Sequence, residues 1–348
     1  MFENMLKQKG FWAENGNVSD IVISTRIRLA RNISGYVFPD KMSQTDIMKL
    51  KDDFKNYVSV SDFKDDIVYH DISEIADKDR RFLRERNIIT NEIESSSDCA
   101  FILDKNSSFS ILINEDDHIH IQKISSGFNL HDTYREINKI DDDINRHFSY
   151  SFSSQTGYAS AYLKNCGTGM SVSVLMHLPM ITILKTADEI MKNADENGFE
   201  LKPVSNDNTK NFGSIYILKN KYSIGKTEIE LIDQMDNLVL MISDLENETR
   251  DEYIYDSKFI MEDRVFRSFG ILKYARSMSY SEALELLSNL RTGVILSFFK
   301  NLSIEQINDL MVKIQFAHLE KIGNTNFVTQ SECDEFRAGF IRGELPDI

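Results

Sequence analysis

Proline is nearly missing from this chain, with four in 348 residues, at Pro39, Pro179, Pro203 and Pro346. No Gly/Ser-rich or Pro-rich run marks a flexible linker, so any boundary between domains must be short or helical. Cysteine is scarce as well. Cys99, Cys166 and Cys333 are odd in number and far apart, without CxxC or metal-ligand spacing, which excludes a disulfide framework and fits a reducing, cytoplasmic setting. No apolar run approaches the length of a membrane span, and the first ten residues are too polar for a signal peptide, so neither a membrane nor export is expected. Positive charge is the minority sign. Forty Lys and Arg face 55 Asp and Glu, for a formal charge of −15. A nucleic-acid binder needs clustered cations, so that class is set aside. Internal repeats and low-complexity tracts are absent too.

What remains is an apolar fraction of 41%, enough for a real core, and a length that predicts one large and one small domain. Alternating, β-branched segments predict strands over 20–28, 108–114, 118–124, 171–177 and 213–219. Helical periodicity covers 43–58, 187–197, 227–246 and 258–275. Beyond about residue 256 the strand patterns stop. Three capping-box patterns follow, Ser279-x-x-Glu282, Ser303-x-x-Gln306 and Thr329-x-x-Glu332, each opening a helical spacing. The expected architecture is α+β, an antiparallel sheet flanked by helices over 1–255, followed by a small all-helical domain over 256–348.

Four segments concentrate unusual polar residues. In STRIRLARN, residues 24–32, Arg26 and Arg28 are two apart on a strand and share a face. Adjacent guanidiniums repel unless an anion sits between them. In NEDDHIHIQ, residues 114–122, a carboxylate-rich turn is followed by His118 and His120, two imidazoles that fall short of a metal site by themselves. NCGTGMSVSV, residues 165–174, carries two glycines into a strand, too little for a phosphate loop. LKPVSNDNTKNFG, residues 201–213, is a polar loop. Each segment taken alone has a bland reading, which is the more usual one for such patterns, as a solvated face or turn.

Together, in this order, they resemble the bacterial protein-arginine kinases of the ATP:guanido phosphotransferase family, relatives of creatine and arginine kinases. The resemblance runs through STRIRLARN with Phe38-Pro39, the NEDDH turn, GYASAYLKNCGTGMSVSVLMHLP, GSIYILKN, Ser223-Ile224-Gly225-Lys226 and CDEFRAGFIR. It implies Mg-ATP as co-substrate and proteins as phosphoryl acceptors. It also implies a C-terminal domain that dimerises and recognises phosphoarginine, with Clp-type unfoldases, phosphoarginine-bearing proteins or a partner arginine kinase as associates. Ser24, Arg26 and Arg28 would meet the nucleotide phosphates, because the guanidinium fork donates two parallel bonds to phosphate oxygens. No resident metal site is implied.

Departures from the family pattern fall on the chemistry. The acceptor-orienting glutamate is Asp116, and two phosphate-binding arginines are His120 and Ser171. The reactive cysteine position is Tyr162, with Cys166 four residues on. In the loop the arginine is Lys202 and the second catalytic glutamate is Asp207. A histidine near the nucleotide is Asn87. In the tail motif the first arginine is Cys333, which leaves Asp334 and Arg337 to hold phosphoarginine, or to form a mere helix pair. Losing one preorganised contact costs on the order of 10²–10³ in turnover, and misplacing a group by an ångström roughly 10²-fold. Two expectations follow: a degenerate kinase homologue that works by binding, or a divergent kinase rebuilt around two aspartates that keep the charge.

Overall fold

The computed structural model describes residues 5–6, 14–204 and 211–347. An eight-stranded sheet runs in the order β2-β3-β4-β5-β1-β8-β10-β9, with every pairing antiparallel. Its strands are β1 (Val22–Arg31), β2 (Ile67–Asp71), β3 (Ala100–Asp104), β4 (Phe109–Ile113), β5 (Ile119–Ser126), β8 (Met170–His177), β9 (Phe199–Pro203) and β10 (Ile215–Asn220). A small hairpin, β6 (Phe152–Ser153) and β7 (Gly157–Tyr158), stands apart. The helices are α1 (Gln44–Val60), α2 (Asp77–Glu85), α3 (Asn91–Ser95), α4 (Leu130–His147), α5 (Pro179–Ile183) and α6 (Ala187–Glu196). They continue with α7 (Glu228–Tyr274), α8 (Tyr280–Ile295), α9 (Ile304–Lys313), α10 (Phe316–Ile322) and α11 (Gln330–Glu344).

All five expected strands form, with shifted ends. β1 begins only at Val22 because the preceding residues make a turn in which Val18 has a positive φ of 54°. The strands β2, β3 and β9 were not read from the sequence. β2 and β9 are short edges, and β3 is buried along its whole length, so none carries a clear alternation. The helix α4 was missed because its buried stripe is thin: Leu130, Ile137, Ile140 and Ile144 in an otherwise polar run. The two helices expected over 227–246 and 258–275 form as the two arms of α7, which meet at a kink at non-helical Ser257. Of the three capping boxes, only Ser303/Gln306 closes reciprocally. Ser279 and Thr329 accept from their N3 amides, but Glu332 turns away to accept from Val328 N at 2.9 Å. Thr227 and Glu230 form a further complete box at the start of α7.

Alternation on the central strand gives the sheet two different faces. Ile27 and Leu29 point one way, with Ile121, Val172, Val174 and Leu218, onto the apolar sides of α4 and α7. Arg26 and Arg28 point the other way, opposite Ser173 and Ser171 on β8 and Ile124 and Gln122 on β5. Among the described residues, this second face is covered at its ends. Phe101, Leu103 and Leu112 pack under α2 and α3 at one side, and Ile215 and Leu175 pack under the C-terminal helices at the other.

Three buried polar residues tie α7 and the C-terminal helices to other parts of the chain. Arg291, fully buried, donates to Ser19 O (2.6 Å), Asp20 O (2.8 Å), Asn308 Oδ1 (3.0 Å) and His177 Nδ1 (2.8 Å). His177 in turn meets Ser288 Oγ at 2.7 Å, so its ring is the neutral Nε2–H tautomer. Burial and the neighbouring guanidinium of Arg291 hold its pKa well below the usual range. Glu246 of α7 accepts from Met180 N and Ile181 N at 2.9 and 3.0 Å. Burial pushes its carboxyl up to about 7 even so. Glu85 accepts from Ala317 N and His318 N at 2.9 and 3.0 Å, capping α10 from a distant part of the chain.

Replacing Arg291 with Ala orphans two carbonyls, Asn308 and His177 inside the protein. The expected loss is about 3–5 kcal/mol of stability, read as a lower urea midpoint. A variant within 1 kcal/mol of wild type would show that the clamp is dispensable.

Candidate functional site

The site is built on the uncovered middle of the polar face. Ser24 lies buried on it, two residues before Arg26 and opposite Leu175 and Ser126. Arg26 donates from Nε to Ser173 Oγ at 3.4 Å and has no carboxylate partner among the described residues. Burial, with Arg28 adding its repulsion, pushes the Arg26 pKa down to about 10. Arg28 donates from Nη2 to Glu115 Oε2 at 2.8 Å. Its Nε is buried with no partner among the described residues. One guanidinium without a carboxylate beside another with an orphaned N–H is a place that fits an anion such as a phosphate group.

Glu115 is the hub of this corner. Its carboxylate accepts from Arg28 and Thr90 and lies 2.6 Å from His120 Nδ1. Burial opposes its charge, but Arg28, His120 and Thr90 outweigh that and hold the pKa at about 2. His120 stands between Glu115 and Asp117, whose Oδ2 is 3.5 Å from Nε2. Burial and Arg28 disfavour the imidazolium, yet the two carboxylates prevail and raise its pKa. His120 shares a strand face with Gln122, opposite Arg28, but its ring is buried and both nitrogens face carboxylates, so it presents no free donor to a phosphate. His118 is occupied differently. His118 Nδ1 accepts from Ile33 N at 2.9 Å and its Nε2 meets Val37 O at 2.7 Å, so both ring nitrogens are used by backbone.

Asp117 is fully buried. It accepts from Asn32 Nδ2 (2.6 Å), Ala161 N (2.7 Å) and Ser160 Oγ (2.9 Å), fastening the loop before β8 to the acidic turn. Asp116 alone of the three carboxylates is exposed. It lines a cleft of about 540 Å³ with Phe38, Pro39, Lys41, Asp98 and Tyr162. Burial and the Glu115 charge raise its pKa, and Tyr162 Oη donates to its Oδ1 at 3.5 Å. Cys166 Sγ is 3.7 Å from Tyr162 O. Ser171 sits opposite Arg28 without bonding it. Lys202, on β9, reaches Glu200 at 3.6 Å. Asp207 lies outside the described residues.

Asn87 has a φ of 57°, a left-handed conformation that asparagine tolerates better than most residues, and its carbonyl accepts from Gln122 Nε2 at 2.9 Å. Far from this corner, Arg337 is 1% exposed. It donates to Ile314 O at 2.9 Å and Met278 O at 2.8 Å, contacts Cys333 Sγ, and pairs with Asp334. That is the helix pair weighed as the alternative, reinforced by two carbonyls. The reading of Arg337 as a ligand-facing cation is corrected, because the guanidinium is sealed inside the helical region. Glu115, Ser173 and Thr90 were missed from the sequence. Ser173 was within reach by counting two from Ser171, whereas Glu115 carried no signal that separated it from Asp116.

The description "ATP:guanido phosphotransferase, C-terminal catalytic domain" matches residues 49–249, and "Protein-arginine kinase McsB C-terminal domain" matches residues 258–348. A protein-arginine kinase of Clostridium acetobutylicum is 34% identical over 332 residues, covering 94% of this chain and 96% of that protein. One of Clostridium novyi is 32% identical over 340 residues, covering 97% and 98%. Among solved structures, the duplicated taurocyamine kinase of Schistosoma mansoni with bound transition-state analogue components has a TM-score of 0.59 at 21% identity, over 67% of this chain and 34% of that one. Lombricine kinase gives 0.59 at 18% identity, over 67% of this chain and 68% of that one. At those identities the structural likeness speaks to the fold alone.

The pKa of Glu115 carries a pH signature. A carboxyl depressed from 4.5 to about 2 stabilises the fold above pH 4.5 and ceases to do so as pH falls toward 2. Glu115→Gln should cost on the order of 3 kcal/mol at neutral pH and flatten the acid limb of a urea-denaturation series. His120 acts with the opposite sign. Its contribution is complete below about 6.5 and is lost as pH rises through the elevated folded value. An unchanged acid limb in Glu115→Gln would contradict the hub.

Proposed function

The chain belongs to the protein-arginine kinase family of ATP:guanido phosphotransferases, and from that premise we propose a weakened kinase homologue that acts chiefly by binding. Mg-ATP is held by its phosphates on the polar sheet face of a catalytic unit, residues 1–255. The helical unit, residues 256–348, dimerises and engages phosphoarginine-bearing proteins, a partner arginine kinase or a Clp-type unfoldase in the cytoplasm, without Arg337 as a direct ligand.

One observation carries the reading. Of the cations on the central strand, only Arg26 faces the site without a carboxylate partner among the described residues, while Arg28 is engaged by Glu115. A phosphate chain gains one unopposed guanidinium and the orphaned Nε of another, which supports binding but fewer contacts on a transferring phosphoryl group. Ser171, opposite Arg28, adds no charge.

A second reading is favoured by Asp116. It is exposed in a cleft that admits an arginine side chain, and its raised pKa suits a group that accepts a proton. That reading is a working divergent kinase.

Incubation of the full chain with Mg-ATP and an arginine-rich protein, scored for acid-labile phosphoarginine, separates the two. Product at least about 100-fold below an active family member is expected. Product at a comparable rate, abolished by Asp116→Asn, would establish the second reading. Mg-ADP should bind weakly by calorimetry, and Arg26→Ala should remove the binding. Tight binding indifferent to that change would refute the proposed phosphate site.

A further inference from the structure

β10 carries a cation that the site described so far does not use. Leu218 and Tyr216 of this strand belong to the core under α7, so Lys219, one residue on and of the opposite parity, stands on the polar face. The register places it opposite Ser173, and Ser173 is opposite Arg26, forming one row across three strands. The Ser173 hydroxyl, which accepts from Arg26, lies between the two cations in that row. On the outer side, Lys219 faces Glu200 of β9, and its Nζ is 3.0 Å from Glu200 Oε2. The same oxygen is 3.6 Å from Lys202 Nζ. Burial works against the Glu200 charge, but Lys219 and Lys202 outweigh it and hold the carboxyl below its ordinary value. Both ammoniums therefore draw on one carboxylate. Across this face Arg26, Arg28, Lys202 and Lys219 stand against Glu115 and Glu200, a positive enclave in a chain of charge −15.

We propose that Lys219 is a further phosphate-binding residue of the nucleotide site, and that Glu200 is its internal competitor, released when the phosphates arrive. The inference rests on the nucleotide-binding reading given above. One strand, β8, lies between Lys219 and Arg26, so two strand spacings, about 10 Å of sheet, separate them, a distance that a nucleoside di- or triphosphate and the four-carbon stem of a lysine together span. Lys219 also answers the loss of charge at Ser171. Ser171 and Ser173 are neighbours on the same face of β8, and Lys219 brings a cation to that strand from the side opposite Arg28. The pair with Glu200 is no obstacle. Lys219 and Glu200 side chains are 36% and 39% exposed, and a surface pair of that kind holds its partners only weakly. An ordinary solvated ion pair predicts no effect on nucleotide.

Calorimetric titration of Mg-ADP into the full chain decides between them. Lys219→Gln should weaken binding about tenfold, the scale of one charge-assisted hydrogen bond, while Lys219→Arg retains it. Glu200→Gln should tighten binding severalfold, since it removes the competitor. Lys221→Gln, a neighbouring surface lysine paired with Asp195, should leave it unchanged, which controls for overall charge. If wild type binds Mg-ADP and loses it with Arg26→Ala, yet Lys219→Gln and Glu200→Gln both match wild type, this inference falls and the nucleotide site stands. If wild type binds no Mg-ADP, both fall together.

Discussion

The Arg28–Glu115 ion pair decides what the rest of this corner can do. Arginine on the central strand of a sheet, half-enclosed, needs a counter-charge. The acidic turn supplies it from the neighbouring hairpin, 87 residues away in sequence. The same carboxylate then settles His120, and through His120 it is linked to Asp117, which fastens the loop before β8. One buried negative charge thus holds together three segments that would otherwise repel or float. It also partitions the polar residues. Those that touch Glu115 or Asp117 belong to the framework, and those that do not, Arg26 and Asp116 above all, are left for a ligand.

Much of the fold was legible because the hydrophobic pattern alternates where the sheet has one wet face. β1, β5, β8 and β10 were readable for that reason. Where the pattern is uniform, as in fully buried β3, or truncated, as at the edges β2 and β9, nothing in the local sequence separates strand from coil. The site divides the same way. Arg26 and Arg28 could be placed on one face by counting. That His120 is held between two carboxylates, or that the Glu115 side chain rather than Asp116 is buried, depends on neighbours which spacing alone cannot reveal. Arg337 teaches the converse. A charged residue inside a helical motif invites a ligand, but backbone carbonyls from two other segments satisfy it first.

The helical region is attached by polar groups in dry surroundings. Arg291, Glu246 and Glu85 each satisfy backbone groups that belong to a different part of the chain. Such contacts are costly to leave half-made, so they favour one docking geometry over many. Ser24, Arg26 and Ser173 lie beside the region's edge, where Leu175 and Ile215 pass under it. Repacking of those helices would therefore alter the border of the polar face itself.

The junction inside Glu228–Tyr274 has one more implication, for how the molecule can bend. Two helical arms meet there at non-helical Ser257, with no loop between them. Glu246 and Arg250, on the arm before that residue, reach back to Met180, Ile181 and Asp20. The first arm is therefore pinned by a buried carboxylate and a guanidinium, and a change of direction between the arms is concentrated at one residue.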